Sequence, residues 1–162
     1  MPKPGSEPAE HDPVDVGLRL LGRREHSRAE LSAKLAARGF EDADVDRALD
    51  RLQAMGALDE TRFAEQFINM RLRQGYGPAR IRSELSQRGV DAATFDVQRA
   101  AAEEANDDAH WAARAEETRR RRFGAGIPSE YAERARQARF LERRGFSAAH
   151  IARVLRGDID ES

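Results

Sequence analysis

Cysteine is absent from this sequence of 162 residues, lysine is rare, and no long apolar run occurs. The absence of cysteine excludes disulfide bonds, thiolate nucleophiles and cysteine-bound metals, and it fits a reducing compartment. A membrane-spanning helix needs about 20 apolar residues, and the first residues lack the apolar stretch of a signal peptide. These absences predict a soluble, cytoplasmic protein that does not contact a membrane.

The hydrophobic content is modest at 40%, whereas charged residues make up 35% of the chain. This composition predicts a thin core beneath a large surface. The formal net charge is −1, which does not by itself indicate a nucleic-acid-binding protein. The distribution of the charges is therefore more informative than their sum.

Charges of opposite sign concentrate in different segments. Acidic residues concentrate in residues 7–15, 41–50 and 158–161, and arginines in residues 71–88, 119–122 and 134–144. A near-neutral total can therefore conceal a basic stripe that binds a polyanion. The alternative is a solvated helical surface on which arginine simply replaces lysine, since Lys3 and Lys34 are the only lysines.

One sequence pattern occurs three times along the chain. In each copy a helical segment ends at Arg-Gly, an apolar residue follows, and a second apolar residue comes about five positions later. The copies are Arg38-Gly39-Phe40 with Val45, Arg88-Gly89-Val90 with Phe95, and Arg144-Gly145-Phe146 with Ile151. Repeated units bury their apolar faces against their neighbours and leave extended surfaces free. The pattern predicts a helical repeat protein whose partner is a polymer or filament.

Helical periodicity extends over nearly the whole chain, and no segment alternates convincingly at period two. Ser27 and Glu30 have the spacing of a capping box, and Asp42 and Asp59 are predicted N-caps. Gly145 suits a helix end because glycine adopts the left-handed conformation at little cost. We therefore predict an all-α fold, an elongated array of tandem three-helix repeats.

Breaks in the helical pattern divide the chain into four predicted segments. Residues 1–12 are predicted to form a disordered tail, and residues 13–75 an N-terminal helix followed by the first three-helix repeat. Residues 76–127 are the second three-helix repeat. Residues 128–162 are a third, truncated helical repeat with an acidic tail.

Several aromatic side chains could either pack or bind. Phe63, Phe67 and Met70 share one side of a predicted helix, and core packing is the expected role of this spacing rather than base stacking. Trp111 is expected to be a packing anchor rather than a partner contact. Tyr76 lies between two glycines in a tight turn, where contact with a partner and packing over the next helix both stay open.

One part of the sequence resembles a known family. It reads Met55-Gly56-Ala57-Leu58-Asp59-Glu60-Thr61-Arg62-Phe63-Ala64, then Phe67 and Arg71, then Gly75-Tyr76-Gly77-Pro78, Arg80-Ile81, Glu84-Leu85 and Gly89-Val90. This stretch resembles the signature of the RecX family, and the flanks agree from about Val14 to Arg156. The resemblance implies a curved body of three tandem three-helix units without catalytic activity. It also implies that this body lies in the groove of the RecA recombinase filament on DNA and mainly inhibits RecA, with roles in homologous recombination, DNA repair and the SOS response.

Two groups of arginines are the candidate contacts to RecA and DNA. One group flanks the turn at Tyr76, and the other includes four consecutive residues that cannot all share one ion-pairing face of a helix. The candidates are Arg71, Arg73, Tyr76, Arg80, Arg82, Arg88, Arg119, Arg120, Arg121, Arg122, Arg143 and Arg144. Arginines of this kind follow phosphates or meet acidic patches on a protein. The alternative is a solvated face with local ion pairs to Glu65 or Glu84, worth about 0.5 kcal/mol each.

No catalytic, metal or cofactor site is predicted. Asp42, Asp44 and Asp46 imitate the start of a calcium loop, but Arg47 stands at its required glycine. The four histidines lie in separate segments without ligand spacing. We expect a monomer that binds the RecA filament and contacts single- and double-stranded DNA weakly and electrostatically. The alternative is a stand-alone DNA-binding regulator of the helix-turn-helix kind, which is usually a dimer with one dominant recognition helix.

Overall fold

The computed structural model describes residues 12–101 and 108–159, and within these ranges the chain forms helices and no strand. The helices are α1 (Pro13–Leu21), α2 (Arg28–Ala36), α3 (Asp42–Ala54), α4 (Glu60–Arg73), α5 (Pro78–Gln87), α6 (Ala92–Ala101), α7 (Asp108–Phe123), α8 (Tyr131–Arg144) and α9 (Ala148–Arg156). The predicted all-α fold is confirmed. The predicted tail and the last acidic residues lie outside the described residues, except for Asp12, whose side chain caps α1.

The chain divides within α4 into two compact units, Met1–Phe63 and Ala64–Ser162. In the first unit, α1, α2 and α3 pack against one another. Gly17 permits this packing, because a Cβ at this position would lie 2.5 Å from a methyl carbon of Leu52. The core of this unit includes Val14, Val16, Leu20, Leu31, Leu35, Val45, Leu49, Leu52 and Leu58.

In the second unit, α5 packs on α6, while α7, α8 and α9 pack against one another. Trp111 is 3% exposed, and its ring stacks on Phe95 with the ring centroids 6.2 Å apart. The expected role of Trp111 as a packing anchor is therefore confirmed. The other large buried side chains of this unit include Phe67, Ile68, Leu72, Ile81, Leu85, Leu141, Phe146 and Val154.

Local capping signals fix several helix ends. Ser27 and Glu30 form the predicted capping box, in which each side chain accepts a hydrogen bond from the backbone N–H of the other residue. The Asp59 side chain accepts from the Arg62 N–H at 3.0 Å, as expected of an N-cap. Gly145 ends α8 with φ of 97°, in the left-handed region that glycine occupies without steric cost.

Two local predictions are wrong. The N-cap of α3 is Glu41, whose side chain makes no capping bond, and Asp42 is the first helical residue. Met70 is 36% exposed, although Phe63 and Phe67 are buried as predicted. The buried stripe of α4 continues through Ile68, Leu72 and neighbouring positions, which turns Met70 away from the core.

No helix in the described part of the chain combines the length and the apolar character that crossing a membrane requires.

Candidate anion-binding surface

The turn between α4 and α5 is tied by its backbone to the end of α8. The Gly77 N–H donates to the Arg144 carbonyl at 2.7 Å, and the Ala79 N–H donates to the Gly145 carbonyl at 3.1 Å. These bonds satisfy N–H groups at the start of α5 and carbonyl groups at the end of α8, which the helices themselves leave unpaired. The positive end of one helix dipole thus meets the negative end of another.

Two glycines make this close approach possible. A Cβ at Gly77 would lie 2.5 Å from the Gly145 carbonyl oxygen, and a Cβ at Gly145 would collide with the backbone of Arg80. Gly145 therefore has two reasons to be glycine, its positive φ and its contact with α5. The junction brings predicted site residues from α5 and α8 together.

Three arginines from three helices surround the ring of Tyr76. The guanidinium carbons of Arg144, Arg71 and Arg80 lie 4.7, 5.1 and 5.5 Å from its centroid. Cations at such distances are attracted to the face of an aromatic ring. Tyr76 is half-buried, and its ring packs among these arginines, while its contact with a partner stays a prediction.

Glu84 neutralises part of this charge. Its side chain is 9% exposed, and its two carboxylate oxygens lie 2.6 Å from Arg71 Nε and 2.9 Å from Arg80 Nε. The hydrogen bond that Arg80 donates to Glu84 is the main reason why the pKa of Arg80 is raised. The predicted local ion pairs to Glu84 are therefore present, and one carboxylate serves two guanidinium groups.

Arg82 and Arg88 lie on packed rings elsewhere in the unit. Arg82 Nη2 is 2.7 Å from Asp96 Oδ1, and its guanidinium carbon lies 4.7 Å from the Phe95 centroid. Arg88 lies 4.6 Å from the Phe67 centroid and donates to the Glu84 carbonyl at 3.0 Å. The structure does not place these two arginines around Tyr76.

Arg119 is fully buried, which corrects its prediction as a binding residue. Its guanidinium donates to Glu116 at 2.7 and 2.9 Å, to Gln137 at 3.1 Å, and to the Gly126 and Ala125 carbonyls at 2.9 and 3.1 Å. The hydrogen bond to Glu116 is the main cause that raises the pKa of Arg119. Arg119 therefore holds the α7–α8 connection in place and cannot reach a partner.

The next three arginines of α7 are exposed. Arg120 Nε lies 3.7 Å from Glu116, and Arg121 pairs with Glu117. Arg122 lies over the ring of Phe123, with its guanidinium carbon 5.4 Å from the centroid. One arginine of the four thus faces inward, and the other three present their charge to solvent.

A cavity of about 190 Å³ opens beside these residues. Its lining comes from the α4–α5 turn, α7 and α8, and consists of Gln74, Gly75, Thr118, Arg121, Arg122, Phe140 and Arg144. Arg144 Nη1 donates to the Gln74 carbonyl at 2.9 Å, while Arg121 Nη1 donates to the Arg73 carbonyl at 3.5 Å. The side chains of Arg73 and Arg143 are exposed nearby on α4 and α8.

Sequence reasoning missed three contributors to this surface. Phe140 precedes Arg144 by one helical turn, so the spacing of the pair offered a signal. Thr118 donates from its hydroxyl to the Arg114 carbonyl at 2.9 Å, and its contact with Gly75 has no signature in the sequence. The sequence predicts Glu84 only as a local ion-pair partner, whereas the structure shows it shared by Arg71 and Arg80.

Family models identify the three helical units. The first three-helix domain of RecX matches residues 15–52, the second matches residues 59–96, and the third matches residues 112–155. They correspond to α1–α3, α4–α6 and α7–α9, so the predicted tandem three-helix organisation is confirmed. The domain boundaries predicted at residues 75 and 127 group the helices differently, because they treat α1 as an element that precedes the first repeat. The third matched domain contains three helices.

Individual proteins are similar over most of their length. The chain is 49% identical over 147 residues to the regulatory protein RecX of Pseudomonas fluorescens strain SBW25, covering 90% of this chain and 92% of the relative. It is 49% identical over 137 residues to the regulatory protein RecX of Halorhodospira halophila strain DSM 244 / SL1, covering 85% and 82%. The crystal structure of RecX from Lactobacillus salivarius shares the fold with a TM-score of 0.71 at 17% identity, over 90% of this chain and 93% of that chain.

Proposed function

This chain belongs to the RecX family of regulatory proteins, and on that premise we propose that it binds the RecA–DNA filament and mainly inhibits RecA. The protein lies along the filament groove as a monomer in the cytoplasm. There it occupies space that the second DNA duplex needs and disfavours the active arrangement of the filament. This is regulation by binding one state of an assembly more tightly than another, without a catalytic step.

The gathering of arginines in residues 64–162 supports this proposal most directly. Residues that are far apart in sequence contribute guanidinium groups around Tyr76 and around the neighbouring cavity. A filament on DNA presents both acidic protein surface and phosphates, and arginine binds either. The remaining candidates for this contact are Arg71, Arg73, Tyr76, Arg80, Arg82, Arg88, Arg120, Arg121, Arg122, Arg143 and Arg144.

Direct contact with DNA is expected to be weak and electrostatic. Several exposed arginines release counterions when they meet phosphates, so the affinity falls as the salt concentration rises. Single- and double-stranded DNA should both show this dependence.

The test is ATP hydrolysis by purified RecA on single-stranded DNA, titrated with this protein. The proposal predicts inhibition at well below one molecule per RecA subunit, because one bound regulator affects a filament of many subunits. If RecA hydrolyses ATP at an unchanged rate while this protein binds one particular duplex as a dimer, the protein is a DNA-binding regulator and the proposal is wrong.

A further inference from the structure

We propose that the cavity between the α4–α5 turn, α7 and α8 binds one backbone phosphate of single-stranded DNA. The inference rests on the proposed function, since it names the DNA contact within the filament. It also makes a prediction for DNA alone. The cavity is lined by Gln74, Gly75, Thr118, Arg121, Arg122, Phe140 and Arg144.

The lining contains three guanidinium groups and no carboxylate. About half of the arginines that the structure describes pair with an acidic side chain, as Arg82 does with Asp96. Within residues 12–101 and 108–159, Arg122 and Arg144 form no such ion pair. Arg144 is moreover half-buried, and a partly desolvated cation without a counter-charge gains most from an incoming anion.

The guanidinium of Arg144 is held in position before any ligand arrives. Its Nη1 donates to the Gln74 carbonyl at 2.9 Å. Its guanidinium carbon lies 4.7 Å from the Tyr76 centroid and 5.2 Å from the Phe140 centroid, so it contacts both rings. One carbonyl uses one of five N–H donors, which leaves others for an anion. A fixed, planar fork loses little entropy on binding and matches a phosphate bidentately.

The size and the apolar wall favour a nucleotide unit over a carboxylate. The cavity of about 190 Å³ exceeds the roughly 30 Å³ share of one water several-fold. Phe140 is half-buried and forms part of the wall, and aromatic rings beside cations are the means by which proteins bind single strands. A recessed site also suits a flexible strand, which can turn one phosphate inward, better than a rigid duplex.

The test is fluorescence anisotropy of a labelled oligothymidine at several salt concentrations, without RecA. Arg122→Ala should bind about tenfold more weakly, since a charged hydrogen bond is lost. The slope of log affinity against log salt should shrink by about 0.7, the value for one phosphate on a single strand. Arg144→Lys keeps the charge and should weaken binding while the slope stays close to that of the unmodified protein.

The matched control is Arg139→Ala, which removes the same charge from an exposed position of α8 outside the cavity. It should bind within about twofold of the unmodified protein. An equal loss in Arg139→Ala and Arg122→Ala would overturn the proposal, because charge alone would then explain binding. Unchanged affinity and slope in Arg122→Ala would overturn it as well.

Two further binding measurements distinguish single-stranded DNA from the other possible ligands, an acidic protein and a DNA duplex. A polyglutamate peptide that displaces the oligothymidine as well as an unlabelled oligothymidine does would assign the cavity to acidic protein and overturn the DNA proposal. A duplex that depends on Arg122 and Arg144 more than the single strand does would also overturn it. Because RecA is absent, DNA binding as predicted combined with no inhibition of RecA would instead count only against the proposed function.

Discussion

Two arginine-lined cavities, one in each unit of the chain, differ in how their cations are held. The cavity in residues 1–63 measures about 240 Å³ and is lined by Val16, Arg19, Leu20, Arg23 and Arg38. The cavity in residues 64–162 measures about 190 Å³ and contains three arginines as well. Neither lining includes a carboxylate. The number of arginines therefore does not distinguish the two sites.

The fixation of the side chains does distinguish them. In the first cavity, Arg38 donates to the Lys34 carbonyl at 3.1 Å, and the lining contains no aromatic ring. In the second, Arg144 is held by a carbonyl and two rings, and Arg122 lies over Phe123. A preorganised group loses less entropy when it binds than a freely rotating one. We therefore assign the binding role to the second cavity and general surface charge to the first.

The net charge of the two units also favours anion binding by the second unit. Residues 1–63 contain 10 basic and 13 acidic residues, whereas residues 64–162 contain 18 arginines and 16 acidic residues. The net charge of −1 averages over this difference. A polyanion would be repelled by the first unit and attracted by the second.

The largest expected effect is a loss of stability, and it should differ between one glycine of the second unit and one glycine of the first. Gly145→Ala should destabilise the second unit by about 4 kcal/mol, because its φ is positive and its new Cβ would meet the Arg80 backbone. Gly39→Ala has a similar φ of 90° but open space around it, so it should cost only about 1–2 kcal/mol. Urea unfolding followed by circular dichroism measures both. Equal losses would show that the contact with α5 contributes nothing.

The next effect concerns the connection between α7 and α8 in the second unit. Arg119→Ala should destabilise that unit by about 3 kcal/mol, because Glu116 and two loop carbonyls lose a buried partner. The single tryptophan, Trp111, lies in this unit and reports its unfolding by fluorescence. Arg120→Ala, one residue further on the exposed side, is the control and should stay within about 0.5 kcal/mol. A loss no larger than that of the control would contradict the structural role of Arg119.

A third change increases the net positive charge around Tyr76. Glu84→Gln removes the carboxylate that Arg71 and Arg80 share. We expect a stability loss of about 2 kcal/mol, reduced from the fully buried case because Arg80 is half-exposed. The same variant should bind oligothymidine more tightly, since two guanidinium groups lose their counter-charge. Tighter binding in an anisotropy titration would support the assignment, and weaker binding by a folded variant would contradict it.

The smallest effect is confined to the first unit and depends on pH. His26 is buried, and its Nδ1 and Nε2 lie 2.9 Å from the Arg24 carbonyl oxygen and 3.0 Å from Lys34 Nζ. Burial lowers the pKa of His26 below its ordinary value of 6.5, so the folded state binds a proton less readily than the unfolded state. The contribution of neutral His26 to the free energy of unfolding is therefore complete above pH 6.5. It is lost as the pH falls through the lowered pKa. An NMR titration of the imidazole should give a value below 6.5; a value above it would contradict the effect.

Features set by neighbouring residues could be predicted from the sequence. The left-handed end of α8 at Gly145 and the capping box at Ser27 follow from chemistry within one helical turn. The apolar stripes that form the cores of both units follow from helical spacing. The predicted domain boundaries at residues 75 and 127 differ from the ranges that the family models match, because a repeat pattern gives the spacing of the units but not which helix opens each one.

Contacts between distant residues could not be predicted in the same way. Arg119 looks identical in sequence to its three neighbours, and only the position of the 125–126 carbonyls decides that it is the buried one. The bonds between Gly77 and the end of α8 likewise join residues whose proximity no local pattern indicates. The arginine-rich segments of the candidate surface can therefore be recognised from the sequence. The arrangement of their side chains depends on how the helices pack, which the sequence pattern does not give.

The most direct test of the difference between the two cavities is inhibition of RecA ATPase by two double variants. Arg121→Ala with Arg122→Ala removes two charges from the second cavity, and Arg23→Ala with Arg38→Ala removes two from the first. We predict that the first variant loses most of its inhibition at physiological salt, while the second inhibits like the unmodified protein. Equal losses, or a larger loss in the second variant, would contradict the claim that the arginines of the second cavity form the binding site.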